Sequence, residues 1–496
     1  MNQGQFFLFI IALFPLFACI SLRFFRNYPN FYNFVYYLLP VAFLVNLFKA
    51  THYFRRDIYE LTLYEAMDKV SLAFYVDKIS ILFLFILAVL WLVFAFYSLR
   101  YFQISFEKNS TRIREYFVLI VSLVNFLILS KNLFTILFFY IYLIISSHFF
   151  TNKHFNLRES KFTKLFTWVL YCESFLIFVA TILTFKMNHN IDFVNQVVLP
   201  NNYHEIYHLI VFALFFCGLF LMMIVPFYLL FKNIKFSSLT LMIVFLLSYA
   251  LPSIFMFLKI INYIYGIKGL ALFSKKYGLI VFELIILVNL LISSYKYLRE
   301  RELKTALFYL FVSQFGVLIL SILIHLTHRF NYSFIAFIAF IINFMLVFLM
   351  SANLELFLSK IHNKNLQKNL TGIFYKMPIS SMIFFYGLFS LIGLSPSLSA
   401  LEKIAMMPHL LKNDYQLAFW VFLLNFILVM IFILKELYIF FDKKTPYDED
   451  EDENIIARFN EIAKTIDNDS NLILTGLLVA IAGIVFLFFN NIFMIL

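Results

Sequence analysis

The sequence predicts an all-α membrane protein that crosses the bilayer about fourteen times. Of the 496 residues, 63% are hydrophobic and only 14% are charged, against roughly 25% charged residues in an average soluble domain. A soluble fold of this size cannot bury so much apolar surface, because it must still expose a large part of its chain to water. The composition therefore excludes a soluble enzyme, a secreted disulfide scaffold and a disordered tail.

The sequence contains fourteen apolar blocks, each close to or longer than the roughly 20 residues that a transmembrane helix needs. They are too long for barrel strands, and only a helix satisfies its own backbone in lipid without closing a barrel. No cleavage site of small residues follows the first block, so we expect Gln5 to Leu22 to be a retained helix. The blocks lie near 5–23, 33–49, 79–99, 115–130, 132–150, 165–186, 207–231, 236–262, 277–297, 303–326, 331–357, 378–411, 416–441 and 471–495.

The residue usage points to an A/T-rich genome of the kind that organelles carry. The chain has 70 Phe and 30 Tyr but only 11 Gly and 10 Pro, and Phe and Tyr have A/T-rich codons whereas Gly and Pro have G/C-rich ones. Phenylalanine then occupies apolar positions that Leu or Ala fills in other proteins. Cys19, Cys172 and Cys217 lie in apolar runs without paired spacing, so we expect neither a disulfide framework nor a metal cluster.

The positive charge predicts an orientation in the membrane rather than a nucleic-acid partner. The net charge is +11, and the cations are spread over the loops. The connections after odd-numbered blocks up to the eleventh hold about twenty Lys and Arg, and the alternate connections hold about eleven. The richer side corresponds to the cytoplasm, or to the matrix of a mitochondrion, and an even number of helices places both termini on the opposite, intermembrane-space side.

One long polar loop, roughly Asp442 to Ser470, separates the last two blocks. It carries an acidic run, Asp448 to Glu453, followed by an amphipathic stretch, Ile455 to Ile466. This pattern predicts a solvated hairpin with a surface helix. A cation-binding or partner-docking role is the alternative.

Ionisable side chains within the blocks are the candidate functional residues, because each costs about 2.5–3.5 kcal/mol at the bilayer centre. For Lys259, Lys435 and Glu436, near block ends, the alternative is that the side chain reaches out to the interface. For the deeper Glu173 and Glu283, the alternative is that each is a neutral acid hydrogen-bonded to a neighbouring helix. For the two histidines that follow the tenth block, it is an ordinary interfacial side chain. The predicted proton path consists of Lys403, Glu402, Glu283, Glu173, Lys435, Glu436, Lys304, His325 and His328.

Two blocks contain a proline that should break the helix. Pro396 lies in the middle of the long twelfth block, and Pro226 interrupts the seventh. Broken helices expose backbone groups and often mark the working site of a transporter. An odd spacing of five blocks between the two predicts an inverted internal repeat. Lys403 follows the second break, where burial disfavours the charged amine and a nearby carboxylate can switch it, so we expect it to carry a proton.

Four segments together resemble the antiporter-like subunits of respiratory complex I and of Mrp-type cation antiporters. FYVDKISILFLF with FAFYSLRYF is similar to their third helix, and VPFYLLF to the turn in their seventh. ELKTALFYLFVSQFG resembles the loop and start of their tenth helix, which places Lys304 on the family's loop lysine. GLSPSLSALEK resembles their twelfth-helix pattern, which places Lys403 on its final lysine.

The absence of an acid directly after Lys403, the chain length and the polar hairpin before a terminal helix resemble the subunit-2 type of mitochondrial NADH:ubiquinone oxidoreductase. The resemblance implies a proton-translocating subunit of the membrane arm, with no bound redox cofactor. NADH, flavin, iron–sulfur clusters and ubiquinone would belong to other parts of the complex. The expected partners are other membrane-arm subunits, including neighbouring antiporter-like ones, and phospholipids such as cardiolipin, with no nucleic acid.

The resemblance divides the chain into five parts. Residues 1–110 form three N-terminal helices, 111–262 a first antiporter-like repeat of five helices, and 263–441 a second, inverted one. Residues 442–470 form the acidic loop with its short amphipathic helix, and 471–496 the terminal helix.

The first repeat departs from the family pattern at three ionisable positions. The family's fifth-helix glutamate falls near Tyr142, its seventh-helix lysine near Leu221 and its eighth-helix lysine near Tyr249 or Ala250. Neither leucine nor tyrosine replaces a titrating amine at neutral pH, although Glu173, one helix further on, could replace the missing acid. Two alternatives therefore stay open: a structural spacer that no longer pumps, and an independent cation/proton antiporter.

Overall fold

Each of the fourteen apolar blocks contains a helix in the computed structural model. The structure describes residues 3–54, 59–67, 70–105, 110–154, 161–188, 191–193, 205–230, 239, 242–265, 278–328, 330–360, 370–394, 396–411, 416–442 and 453–488. The chain forms two compact units. The first consists of Met1–Phe102, Phe106–Met222 and Ile243–Gly278, and the second of Gln103–Ser105, Met223–Met242 and Leu279–Leu496.

The helices of the first unit follow the first eight blocks. Their bounds are α1 Gln3–Phe24, α2 Pro29–Phe54, α3 Lys78–Ser105, α4 Ser110–Ile128, α5 Leu133–His154, α6 Lys161–Asn188, α7 Glu205–Phe220 and α8 Met242–Tyr265. The last three residues of α3 and the first of α8 are assigned to the second unit. Helix α8 is π-helical over Met242–Ala250 and Ile260–Tyr265, with an α-helical centre. All its described positions are buried except Asn262 and Tyr263.

The second unit contains eight further helices and a single helical turn, Ile373–Lys376. Their bounds are α9 Gly278–Arg299, α10 Leu303–His328, α11 Phe330–Lys360, α12 Pro378–Ile392, α13 Leu398–Leu410, α14 Gln416–Phe441, α15 Glu453–Asp467 and α16 Ser470–Phe488. Helix α15 covers the predicted amphipathic stretch. The carboxylate of Asp467, its last residue, accepts the backbone N–H groups of Ile379 and Ser380 at 3.0 and 2.8 Å, and so caps the start of α12.

Ten helices in the described part of the chain are long and apolar enough to cross a membrane, and eleven if the bent pair Asn460–Asp467 and Ser470–Phe486 is one span. When that pair is counted as a span, three of the fourteen predicted blocks fail this test. Helix α4 carries Arg112, Arg114 and Glu115 in its first turns. The apolar part of α5 is short, at Leu133–Phe149, and the twelfth block is divided into α12 and α13. The fold is that of an all-α polytopic membrane protein.

Both predicted helix breaks are present. Helix α7 ends at Phe220 and is followed by two short 3₁₀ turns, Leu221–Met223 and Phe227–Leu230, on either side of Pro226. Helix α12 ends at Ile392, and α13 begins at Leu398 after Pro396. In both blocks the proline lies in the interruption, as expected for a residue without a backbone N–H. The inverted relation between the two halves stays a prediction.

A two-stranded antiparallel sheet in the first unit was not predicted. Strands β1 Glu60–Met67 and β2 Val70–Tyr75 form a hairpin between α2 and α3. The chain between α4 and α5 pairs with β2, since Tyr75 N donates to Leu129 O and Lys131 N to Ala73 O. Lys131 Nζ lies 2.7 Å from a Glu60 carboxylate oxygen and 3.6 Å from an Asp192 one. Burial of Lys131 opposes its charged form, but these two carboxylates outweigh it and raise the pKa of the amine.

Large apolar side chains cover the outer faces of several helices. Trp168 and Phe175 on α6 are 70% and 63% exposed, and Trp420 on α14 is 64% exposed. In a soluble protein such faces would mark binding surfaces or aggregation sites. In a membrane protein they are the surfaces that meet lipid.

Candidate functional site

Glu173 on α6 lies at the centre of a buried polar cluster in the first unit. Its side chain is fully buried. Oε1 accepts the backbone N–H of Met222 at 2.7 Å and the hydroxyl of Tyr249 at 2.9 Å, and Oε2 accepts the hydroxyl of Tyr140 at 3.4 Å. The Tyr249 hydroxyl also lies 2.9 Å from Leu219 O, near the end of α7. A carboxyl group therefore reaches the interruption after α7 from the neighbouring helix.

This cluster lies near positions at which the resembled family has ionisable residues and this chain does not. Met222 follows Leu221, and Tyr249 is one of the two positions matched to the eighth-helix lysine. Tyr142, matched to the fifth-helix glutamate, is 50% exposed, whereas Tyr140, two residues earlier, is buried and contacts Glu173. Glu173 thus provides an acid here, from α6 rather than α5.

Asp77 and Lys259 form a buried ion pair in the first unit. Lys259 Nζ on α8 lies 2.8 Å from Asp77 Oδ2, and the two side chains are 0% and 5% exposed. The hydroxyl of Tyr263 donates to the same Asp77 oxygen at 2.6 Å, and Asp77 Oδ1 accepts the backbone N–H of Ser80 at the start of α3. The alternative in which Lys259 reaches out to the interface is therefore wrong, because this ion pair holds its amine in the interior.

Lys403 on α13 reaches back to the end of α12 in the second unit. Its Nζ contacts Leu391 O and lies 2.8 Å from Ile392 O. The last carbonyls of a helix lack N–H partners within it and carry partial negative charge, so they suit an ammonium group. Gly393 makes this approach possible. Its φ is +92°, and a Cβ atom there would lie 2.8 Å from Lys403 Cδ.

Three further side-chain hydrogen bonds lie around this helix break. Glu402, 6% exposed, accepts the hydroxyl of Ser321 on α10 at 2.8 Å. Asn343 on α11 joins both sides of the break, since its Oδ1 accepts the Ser390 hydroxyl and its Nδ2 donates to Ser399 Oγ, both at 2.7 Å. The region around Lys403 therefore contains an acid, an amide and three hydroxyl groups in an otherwise apolar bundle.

The other candidates of the second unit form separate sites. Lys435 Nζ on α14 donates to Leu298 O and Glu300 O at the end of α9, at 3.1 and 2.9 Å. Glu436 and Glu283 are buried, at 4% and 6% exposure. Lys304, the second residue of α10, is partly buried. In the described part of the chain, no ion pair joins two members of the predicted proton path.

The predictions for the two histidines and for the acidic run concern residues whose side chains, or whole placement, lie outside the described part. His325 and His328 lie in the last turns of α10, and their side chains are outside it. Residues 448–452 of the acidic run are outside it as well, and so is the side chain of Glu453. Within the described residues, no group of three or more His, Cys, Asp and Glu side chains could hold a metal ion.

Sequence reasoning missed Asp77, Tyr140 and the hydroxyl role of Tyr249. Asp77 belongs to a segment that carries the family resemblance, but it lies two residues before the apolar block at 79–99 and so outside the charges within the blocks. Tyr140 is one of 30 tyrosines, and nothing local distinguishes it. Its partner Glu173 is 33 residues away along the chain.

No protein-family model and no curated protein matches the sequence. The structure is similar to a chain of the Mrp complex from Dietzia sp. DQ12-45-1b, with a TM-score of 0.77 and 14% sequence identity over 100% of this chain and 96% of that chain. At this identity the likeness concerns the fold. The class of protein is therefore a polytopic all-α membrane protein with the fold of an Mrp complex chain.

Proposed function

We propose that the chain is a membrane-arm subunit of respiratory complex I that contributes to proton translocation coupled to NADH oxidation and ubiquinone reduction. It would hold no redox cofactor itself. Its place would be the mitochondrial inner membrane, beside other antiporter-like subunits and phospholipids such as cardiolipin. Two observations support the proposal: the fold shared with a chain of the Mrp complex over its whole length, and the position of Lys403 at the α12–α13 break.

The position of Lys403 carries the proposal. An ammonium held by the terminal carbonyls of α12 is stabilised where it is, whereas the neutral amine would lose most of that attraction. Proton loss by Lys403 therefore weakens the contact between α13 and the end of α12. Glu402 places an acid next to Lys403. A change of charge on a neighbouring subunit would therefore act on both Glu402 and Lys403. Such a coupling between protonation and helix geometry suits a subunit driven by its neighbours.

Lys403→Met tests this role. We expect the assembled complex to form and NADH oxidation to continue, but proton translocation to fall, because methionine keeps the length of the side chain without its titrating group. The measurement is the proton yield per NADH in sealed vesicles, with assembly checked by native electrophoresis.

Lys435→Met is the comparison variant. Lys435 is also a member of the predicted proton path and also donates to two carbonyls at a helix end, but it lies away from the helix break. We expect Lys435→Met to lower translocation less than Lys403→Met, because the proposed coupling depends on the α12–α13 break. Unchanged translocation in Lys403→Met would contradict the proposal and favour the structural spacer.

An independent cation/proton antiporter is the second candidate, and the fold shared with an Mrp complex chain supports it as well. Purification under mild detergent distinguishes the two functions. Copurification with NADH-oxidising subunits supports complex I, whereas a chain that is isolated alone, as a homo-oligomer or with cation-transport subunits supports the antiporter.

A further inference from the structure

The hydroxyl of Tyr249 has two acceptors within hydrogen-bond distance and only one proton to give. It lies 2.9 Å from Glu173 Oε1 and 2.9 Å from Leu219 O. A phenol donates one hydrogen bond and can accept another. Only one of these two oxygens can therefore receive the Tyr249 proton at a time.

When Glu173 is ionised, both its oxygens can only accept. Oε1 then receives the Met222 N–H and the Tyr249 O–H, and Oε2 receives the Tyr140 O–H. When Glu173 takes up a proton on Oε1, that oxygen becomes a donor. It can donate to the oxygen of Tyr249, provided that the Tyr249 O–H turns away to Leu219 O.

The second carboxyl oxygen is the poorer position for the proton. A proton on Oε2 would donate to Tyr140, whose distance of 3.4 Å is at the long end for a hydrogen bond. The Tyr140 hydroxyl would then lose its acceptor, and no other acceptor for it occurs among the described residues. Because Tyr140 is 1% exposed, an unpaired hydroxyl there is unfavourable.

We propose that protonation of Glu173 switches the Tyr249 hydroxyl from the carboxyl group to the Leu219 carbonyl near the end of α7. One proton enters, one carboxylate becomes a neutral acid, and Tyr249 stays neutral in both states. The first unit thereby links the charge of a buried acid to a backbone carbonyl beside a helix break. The inference goes beyond the proposed function, since it holds whether or not the chain translocates protons.

The surroundings of Glu173 contain the groups that this switch needs. Facing titratable groups are Tyr140 on α5 and Tyr249 on α8, and α7 contributes the Leu219 carbonyl and, just after its end, the Met222 N–H. No ion pair to Glu173 occurs among the described residues. The N–H of Met222 already donates to Oε1, so a metal cation at this oxygen would face a positively polarised hydrogen. A proton fits the site better than a metal cation.

Infrared difference spectroscopy tests the switch on the full chain in its native assembly. Spectra taken on the acid side minus those on the alkaline side of the carboxyl titration, with isotope-labelled tyrosine, report the C–O stretch of phenols that change partner. We expect a tyrosine band in the wild type that is missing in Tyr249→Phe. The band should also be missing in Glu173→Gln, because the amide does not titrate.

Three control variants test whether the band belongs to Tyr249 and its switch. Tyr265→Phe removes another buried hydroxyl of α8, which donates to His208 O at 3.2 Å, and should keep the band. Tyr140→Phe should keep it as well if the proton binds Oε1. Lys403→Met, which tests the proposed function, should also leave it unchanged, so that the two proposals can fail separately.

A wild type without a Tyr249 band overturns the switch, and so does a band that persists in Glu173→Gln. If Glu173→Gln fails to assemble, Tyr249→Phe and Tyr265→Phe decide the question. Loss of the band in the first variant alone supports the switch, and identical spectra of the two variants overturn it. The C=O stretch of the protonated carboxyl gives a second readout, which should move to higher wavenumber in Tyr249→Phe because the acid loses its acceptor.

Discussion

At the scale of single residues, Asp77–Lys259 is the ion pair among the described residues whose loss should cost most, because both of its side chains are buried. Removing one partner of a buried pair leaves the other charge uncompensated and costs about 3–5 kcal/mol. We expect Lys259→Met and Asp77→Asn each to lower the melting temperature of the purified protein, and the double variant to be less destabilised than the sum of the two. Lys186→Met, at an exposed lysine near the end of α6, should leave the melting temperature nearly unchanged.

The same pair has a predictable pH dependence. Burial alone would raise the pKa of Asp77, but the ammonium of Lys259 and its hydrogen bonds lower it below the usual value. The stabilisation is therefore present above the unfolded pKa of about 3.9 and is lost as the pH falls through the lower folded value. The stability difference between wild type and Asp77→Asn should not fall between neutral pH and about pH 5. A difference that already disappears in this range would contradict the ion pair.

At the scale of elements, Gly393 fixes the geometry of the α12–α13 break. Alanine there is strained, because φ is +92°, and its Cβ would meet Lys403 Cδ at 2.8 Å. We expect Gly393→Ala to cost about 1 kcal/mol or more and to lower proton translocation by displacing the lysine. Gly372→Ala, at a φ of +70° before the helical turn Ile373–Lys376, imposes the same kind of backbone strain at a position outside the break. Equal translocation in the two variants would show that Lys403 tolerates the displacement.

The predicted elements show which signals a sequence carries and which it does not. Pro226 and Pro396 located both helix breaks, because the effect of proline on a helix is local. The β1–β2 hairpin was missed, since a window long enough for a membrane span averages out the alternation in a short strand. The partners of Glu173 were missed for another reason. Tyr249 is 76 residues from Glu173 along the chain, and their contact depends on the packing of α6 against the chain around α7 and α8.

At the scale of the whole molecule, the loop charges predict the orientation. In the proposed mitochondrial inner membrane, both termini should face the intermembrane space, and the connection between α9 and α10, with Arg301 next to the helix end at Arg299, should face the matrix. Single cysteines introduced at Arg301 and near the N-terminus, in a background with Cys19, Cys172 and Cys217 replaced, test this with a membrane-impermeant thiol reagent. In mitochondria with an opened outer membrane, the N-terminal cysteine should react and the one at Arg301 should not. The reverse labelling pattern would show that the orientation is opposite to the predicted one.

The carboxyl of Glu173 bears on how this chain should be compared with others. Matched position by position to the family pattern that the sequence resembles, the residues near Tyr142, Leu221 and Tyr249 count as losses, and Glu173 falls on none of the expected ionisable positions. In space, an acid still reaches the end of α7, from one helix further along the chain. Chains of this fold are therefore better compared by whether any carboxyl group occupies that volume than by which residue stands at a given position.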